Sequence, residues 1–225
     1  MFESLINLDK ELLLWINGIN SPFFDHFFYI TTNLLSWLPL ALVLLFLCYR
    51  RMGRQPFLWY VAFLAVVVIM ADQLASDVIK PLVERPRPTH ADDIGPLVHV
   101  VNGYRGGAFG FVSSHAANGF AVATFLALTI RRPLFSCTAF AWAILSSYTR
   151  MYLGVHYPGD ILGGALLGAL LAWGSYSTIR RVQPQMLAFC RSMTKTDAHI
   201  FTLTFLLTIA VVALFQMPLY AAMVS

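Results

Sequence analysis

Charge is scarce in this chain. Asp, Glu, Lys and Arg make up 12% of its 225 residues, against roughly 25% in a soluble domain. Hydrophobic residues make up 58%, and the mean hydropathy is +0.69. That combination excludes an ordinary water-soluble globule and places the chain in the membrane class. Cysteine is scarce too. Cys48, Cys137 and Cys190 are far apart and form no CxxC pair, which excludes a zinc knuckle and a disulfide framework and leaves them as small apolar fillers. The first twenty residues lack a basic segment and a small-residue cleavage site, so no cleavable signal is predicted. Neither an internal repeat nor a low-complexity linker or soluble insertion interrupts the chain. A single domain over residues 1–225 is therefore expected.

The net charge of +4 and pI of about 9.1 do not point to nucleic acid, because the arginines fall in short clusters beside apolar runs. A bilayer is crossed by about twenty apolar residues. Six runs approach that length, at 29–49, 57–78, 116–130, 134–153, 158–179 and 200–219. The fold class predicted is all-α, a polytopic bundle of six transmembrane helices. Arg50, Arg51 and Arg54, then Arg131 and Arg132, then Arg180, Arg181, Arg191 and Lys195 all fall in connections on one side of such a path. The positive-inside rule makes that side cytoplasmic, with both termini and the remaining connections outside. Ahead of the first run, Leu5, Ile6, Leu12, Leu13 and Ile16 recur at helical intervals among Glu3, Asp9, Lys10 and Glu11. Residues 1–20 therefore read as an amphipathic helix, either lying in the interface with Trp15 as anchor or packed on the bundle.

Lys80, Arg85, Arg87 and Arg105 fall on the outer side, against the positive-inside rule, and an anion site explains them. Three clusters occupy the outer connections: Lys80 through Arg87-Pro88; Val112-Ser113-Ser114-His115; and Thr149-Arg150, His156 and Asp160. Cleaving a phosphate ester requires cations matched to charge that spreads over the equatorial oxygens. Lys80, Arg87 and Arg150 are suited to that, Arg by bidentate contact. Ser113 and Ser114 begin the third run, where hydroxyls and free backbone N–H groups of a helix start converge on an anion. A neutral imidazole can attack phosphorus if its other nitrogen is held by an acceptor. His156 is the candidate nucleophile and Asp160 its partner, with Pro158 opening the helix that carries Asp160. His115 is the candidate acid for the leaving oxygen and, afterwards, the base for water. No carboxylates converge to hold Mg²⁺, so no metal and no other cofactor is predicted.

Taken together the clusters resemble those of the type 2 phosphatidic acid phosphatase family, which is related to the vanadium haloperoxidases. The family pattern is Lys, six residues, Arg-Pro; then Pro-Ser-Gly-His; then Ser-Arg, five residues, His, three residues, Asp. Lys80 to Arg87-Pro88 agrees in full. Arg150, His156 and Asp160 match, with Thr149 in place of Ser. In the second cluster Ser113 and His115 match, while Val112 replaces Pro and Ser114 replaces Gly. Each charged group and imidazole is retained, but Gly allows φ values that Ser resists, so the departures bear on the shape of that loop. The resemblance spans residues 80–160 and implies that His156 is the nucleophile, Asp160 its orienting partner and His115 the acid. Lys80, Arg87, Ser113 and Arg150 would then bind phosphate, on a lipid phosphate or prenyl diphosphate, without metal.

The activity predicted is hydrolysis of a phosphate on a lipid at the outer face of the inner, cytoplasmic membrane, through a phosphohistidine. The partners expected are the phosphorylated lipid and the bilayer, with no nucleic acid. Undecaprenyl or another prenyl diphosphate comes first among substrates, ahead of phosphatidylglycerophosphate and lipid A phosphate. Transfer of the phosphoryl group to another hydroxyl is the rival enzymatic reading. A small transporter or haem protein is the non-enzymatic one, disfavoured by the absence of repeated halves. Arg85 reads equally as a substrate contact or a solvated charge, and Tyr104 and Arg105 as lining the entrance without a catalytic part; their roles stay open. Asp72, inside the second run, requires a polar partner, with Gln73 or Asn118 as candidates.

Overall fold

The structure, a computed structural model, describes residues 2–224. It is all-helical, and no strand forms among the described residues. The order is α1 (Phe2–Gly18), α2 (Pro22–Thr31), α3 (Leu38–Met52), α4 (Arg54–Gln73), α5 (Lys80–Val83), α6 (Ser114–Ile130), α7 (Pro133–Tyr152), α8 (Pro158–Val182), α9 (Pro184–Arg191), α10 (Lys195–Leu214) and α11 (Gln216–Val224). Four stretches are long and apolar enough to cross a membrane: Leu34–Met52, Arg54–Val83, Pro158–Val182 and Lys195–Leu214. Ser114–Ile130 is apolar but shorter.

Two expected boundaries are corrected. The run expected at 29–49 is two helices. Ser21 accepts a hydrogen bond from the Phe24 N–H and, with Pro22 behind it, starts α2. Asn33 then caps a new 3₁₀ turn by accepting from the Leu35 N–H at 2.9 Å, so the long apolar stretch begins at Leu34. The run expected at 200–219 ends at Leu214, and α11 restarts after Phe215. Conversely, α4 continues through a π turn at Leu74–Ile79 into α5, giving 30 residues. Cys48 and Cys190 are buried fillers as expected, whereas Cys137 is exposed.

The basic connections gather at one end. Arg50 and Arg51 both pair with buried Asp197, Arg51 at 2.7 Å, and Arg132 Nε donates to the Met193 carbonyl at 2.6 Å. Loop 84–113, the turn before α8, and helices α1, α2 and α11 gather at the other end. Asn17 donates to the Tyr152 carbonyl at 2.7 Å, His99 meets Asp25 at 2.9 Å and His26 meets Gln216 at 2.5 Å. Helix α1 packs Leu13 and Asn17 inward and leaves Leu5, Leu8, Leu12, Trp15 and Ile19 exposed in one stripe. Asp72 finds its partner in Asn118, whose amide donates to it at 3.0 Å.

The most extensive helix pairing is α6 with α8. It depends on small residues, because lipid tails are as apolar as Leu and helices in a bilayer associate through close backbone approach. Gly164 and Gly168 of α8 meet Ala116, Ala117 and Ala121 of α6. A Cβ at Gly168 would lie 2.8 Å from the Ala121 nitrogen and overlap the Ala117 carbonyl oxygen. Gly168→Val is expected to cost about 3 kcal/mol, at the upper end for overpacking, read as a lowered thermal midpoint in detergent. Gly174→Ala, where a Cβ meets nothing within 4 Å, should leave the midpoint unchanged or slightly raised.

Candidate active site

The site forms where the glycine seam ends. Pro158 fixes the first turn of α8, and Asp160 turns back to accept from the Tyr157 N–H at 3.0 Å, closing that helix start. The backbone of Asp160 joins the two helices, since its carbonyl accepts from the Ser113 N–H at 3.0 Å. His156, 2% exposed, stands just before this turn with Nδ1 3.4 Å from Asp160 Oδ2. That contact is long. The stronger bonds of the carboxylate go to Tyr157 N and to Arg85, whose Nη1 donates to Oδ1 at 2.9 Å.

Arg87 reaches the same spot from loop 84–113. Its strand-like backbone is held by Arg87 N donating to the Ala108 carbonyl at 3.0 Å and Gly110 N donating to the Arg85 carbonyl at 2.8 Å. Its side chain donates through Nε to the Phe109 carbonyl at 3.1 Å and through Nη1 to the Val155 carbonyl at 3.2 Å. The same Nη1 lies 3.1 Å from His156 Nε2. Guanidinium only donates, so Nε2 is the acceptor and the ring proton is on Nδ1, facing Asp160. Gly106 allows this approach: its φ is +69°, and a Cβ there would lie 2.9 Å from Arg87 Nη1.

Arg150, buried on α7, donates to Thr32 Oγ1 and to the Tyr104 hydroxyl, each at 2.7 Å, and its Nε is buried without a partner. Lys80 bonds to the Ser114 hydroxyl, which also meets Ser76 Oγ at 2.9 Å. His115 is exposed, lining a cavity of about 320 Å³ together with Arg150 and Tyr104. The positive charges of Arg150, Lys80 and Arg87 act on it, and the His156 ring lies near. The residues singled out in the three sequence clusters thus converge at one end of the bundle. Among the described residues, no group of three or more His, Cys, Asp or Glu side chains is placed to hold a metal ion.

Two expectations are corrected in detail. The Ser113 N–H is not free for an anion, being taken by Asp160, and its hydroxyl caps α6 by accepting from the Ala116 N–H at 3.4 Å. Ser114, where the family pattern has Gly, lies in the first turn of α6 and needs no left-handed φ. Its hydroxyl instead anchors Lys80. Sequence reasoning settled no role for Arg85 or Tyr104 and pointed to neither Asp9 nor Thr32. Arg85 bridges Asp160 and Asp9, donating to the latter at 2.7 Å, and lies 4.0 Å from the centre of the Tyr157 ring. Asp9 also accepts from the Gly159 N–H at 2.7 Å.

Burial first, then the positive charges of Arg87, Arg150 and Lys80, hold His156 well below the usual imidazole value of 6.5. The unfolded residue takes up a proton near 6.5 and the folded one does not. This group therefore favours folding fully above that pH, and its contribution is lost as pH falls below it. In the unliganded protein, the ¹⁵N resonances of His156 should stay those of a neutral Nδ1–H ring at pH 6. A free histidine is more than half protonated there.

A buried imidazole with its lone pair among cations, at one end of an apolar helical bundle, defines a membrane phosphatase. Comparison with known proteins gives the family. The profile of the PAP2 superfamily matches residues 57–184, and the chain belongs to that superfamily: it is a membrane lipid phosphatase. It is 42% identical over 177 residues to a lipid A 4'-phosphatase of Bacteroides thetaiotaomicron, covering 78% of this chain and 79% of that one. It is 32% identical over 169 residues to a lipid A 4'-phosphatase of Porphyromonas gingivalis, covering 75% and 72%. A crystal structure of a transmembrane PAP2-type phosphatidylglycerolphosphate phosphatase from Bacillus subtilis shares the fold, with a TM-score of 0.58 and 23% identity over 80% of this chain and 88% of that one.

Proposed function

We propose that this chain removes a phosphate monoester from a lipid A-type glycolipid through a phosphohistidine on His156. The observation that carries the mechanism is the Arg87 contact to His156 Nε2, which leaves a neutral imidazole with its lone pair beside the cations of the site. Lys80, Arg87 and Arg150 hold the phosphoryl oxygens, with Lys80 anchored by the Ser114 hydroxyl at the start of α6. As substrate enters, Arg87 transfers its Nη1 hydrogen bond from the ring to a phosphoryl oxygen. Nε2 forms the P–N bond as the P–O bond to the lipid breaks, and His115 gives its proton to the leaving oxygen. Water then attacks phosphorus and His115 takes a proton from it. The P–N bond breaks, releasing inorganic phosphate and the free enzyme. Asp160 holds the Nδ1 proton and supports the charge that develops on the ring. No step calls on a metal.

The substrate reading moves lipid A ahead of the prenyl diphosphate expected from the clusters alone, because two relatives matching over most of their length carry lipid A 4'-phosphatase activity in their names. In the membrane, the chain is read as one domain of six spans, with α6 and α7 crossing as well as the four long apolar stretches. The Arg50, Arg51 and Arg132 end faces the cytoplasm, and the site faces outward from the inner membrane. Helix α1 lies in the outer interface, with its exposed Leu5–Trp15–Ile19 stripe toward the acyl chains and its Asp9 face on the site.

Phosphate release in detergent with EDTA, from 4'-phosphorylated lipid A, phosphatidylglycerophosphate and a prenyl diphosphate, tests this. The expected result is undiminished release with chelator and the highest kcat/KM on lipid A. Release confined to the prenyl diphosphate, or abolished by EDTA, would overturn the substrate or the mechanism respectively.

A further inference from the structure

A leaving oxygen must lie beside its proton donor. If His115 is that donor, an assignment this inference rests on, the cavity opening at His115 receives the alcohol from which phosphate departs. Its other walls come mainly from outside the three sequence clusters. The end of α2 contributes Tyr29, Thr32 and Asn33, the outer loop contributes Tyr104, and α11 contributes Met223.

Apart from His115 and Arg150 the lining carries no charge: Tyr29, Thr32, Asn33 and Tyr104 offer polar groups, and Leu34 and Met223 offer apolar surface. Asn33 spends its carbonyl oxygen on the Leu35 N–H at 2.9 Å, and its amide nitrogen has no partner among the described residues. Tyr29 accepts at 3.2 Å from the Asn102 amide, and Tyr104 accepts from Arg150, so each hydroxyl keeps a proton to donate. The charged guanidinium in this wall, Arg150, is bonded to Thr32 and Tyr104 and on the proposed mechanism holds the phosphoryl group that is removed. A diphosphate substrate would deliver a second anionic phosphate here, and with Arg150 engaged by the first, the other walls supply no further Lys or Arg to match its charge. A bare isoprenoid would cover the donors and leave them unpaired, which is costly. Hydroxyls on a ring satisfy both demands, and the Tyr29 and Tyr104 rings offer apolar faces alongside their hydroxyls.

We infer that this cavity is the leaving-group subsite and that it takes a neutral, hydroxyl-bearing group, the sugar ring of the glycolipid phosphate. Tyr29 and Asn33 then set specificity without touching phosphorus.

The test is the double variant Tyr29→Phe/Asn33→Ser. Serine retains the capping role of Asn33, and an unchanged thermal midpoint confirms folding. Substrates are 4'-phosphorylated lipid A, phosphatidylglycerophosphate, farnesyl diphosphate and p-nitrophenyl phosphate. With two hydrogen bonds lost, kcat/KM on lipid A is expected to fall about 10- to 100-fold, against less than about threefold on farnesyl diphosphate and p-nitrophenyl phosphate. Equal losses on all substrates, or none on lipid A, overturn the subsite while leaving the lipid A reading intact. If the wild type ignores lipid A but hydrolyses phosphatidylglycerophosphate, whose leaving glycerol also bears a hydroxyl, and the variant loses that activity selectively, the lipid A reading fails and the subsite stands. A wild type that prefers farnesyl diphosphate overturns the subsite.

Discussion

Replacing His156 with alanine is expected to lower kcat on any lipid phosphate by about 10⁴-fold or more, the loss typical of removing a nucleophile. The helical fold should survive, because the contacts that set the start of α8 belong to Pro158, Tyr157 and Asp160. Incubation with ³²P-labelled substrate should leave no label on this variant. His115→Ala should differ in kind. It keeps the attacking nitrogen but lacks the group that activates water, so with an aryl phosphate, whose leaving group needs little protonation, it should accumulate labelled protein. That label should be stable to base and lost in acid. A His156→Ala protein with activity close to wild type, or with the same label, would end the phosphohistidine mechanism.

The second large effect is expected at a residue that does not touch substrate. Arg85→Ala should lower kcat by about 100-fold with KM little changed. Removing the carboxylate that orients a catalytic histidine costs about 10⁴ in the serine proteases, and Arg85 acts one step further out. It holds Asp160 through Oδ1, leaving Oδ2 for the Tyr157 N–H and His156, and ties both to α1 through Asp9. Arg85→Lys should recover only part of the rate, since an ammonium cannot bridge two carboxylates as a planar fork does. Asp9→Asn should be milder, because an amide oxygen can still accept from Gly159. If Arg85→Ala mainly raises KM, the residue binds substrate instead of positioning Asp160.

The groups that meet at the site were legible because they break rules locally. Lys80, Arg87 and Arg150 are cations at the end of the bundle opposite the arginine-rich connections, where the positive-inside rule predicts few, and His115, His156 and Asp160 stand at fixed spacing beside apolar runs. Their companions break no rule. Asp9 looks like any acidic residue on an amphipathic helix, and its partner Arg85 lies 76 residues away. Thr32 and Tyr104 become recognisable only once folding brings both to Arg150. The first boundary was misplaced because Phe23, Phe24, Phe27 and Phe28 make α2 as apolar as the helix that follows. The only break is a side-chain cap at Asn33, which hydropathy does not register. Ser113 looked available for an anion because its N–H lies ahead of a helix, where intrahelical partners are missing. The carbonyl that takes it belongs to a residue 47 positions later.

The missing side chains at Gly164 and Gly168 also have a mechanical meaning. One imidazole rides on α6 and the other just ahead of α8, so on the proposed mechanism the spacing between the attacking nitrogen and the proton donor is set by two rods in backbone-to-backbone touch. Such a joint has no soft layer to compress and no room to pivot. The groups inferred to choose a substrate sit on separate pieces, the end of α2 and loop 84–113. New lipids can therefore be accommodated by altering those pieces while the distance between the two histidines stays as it is.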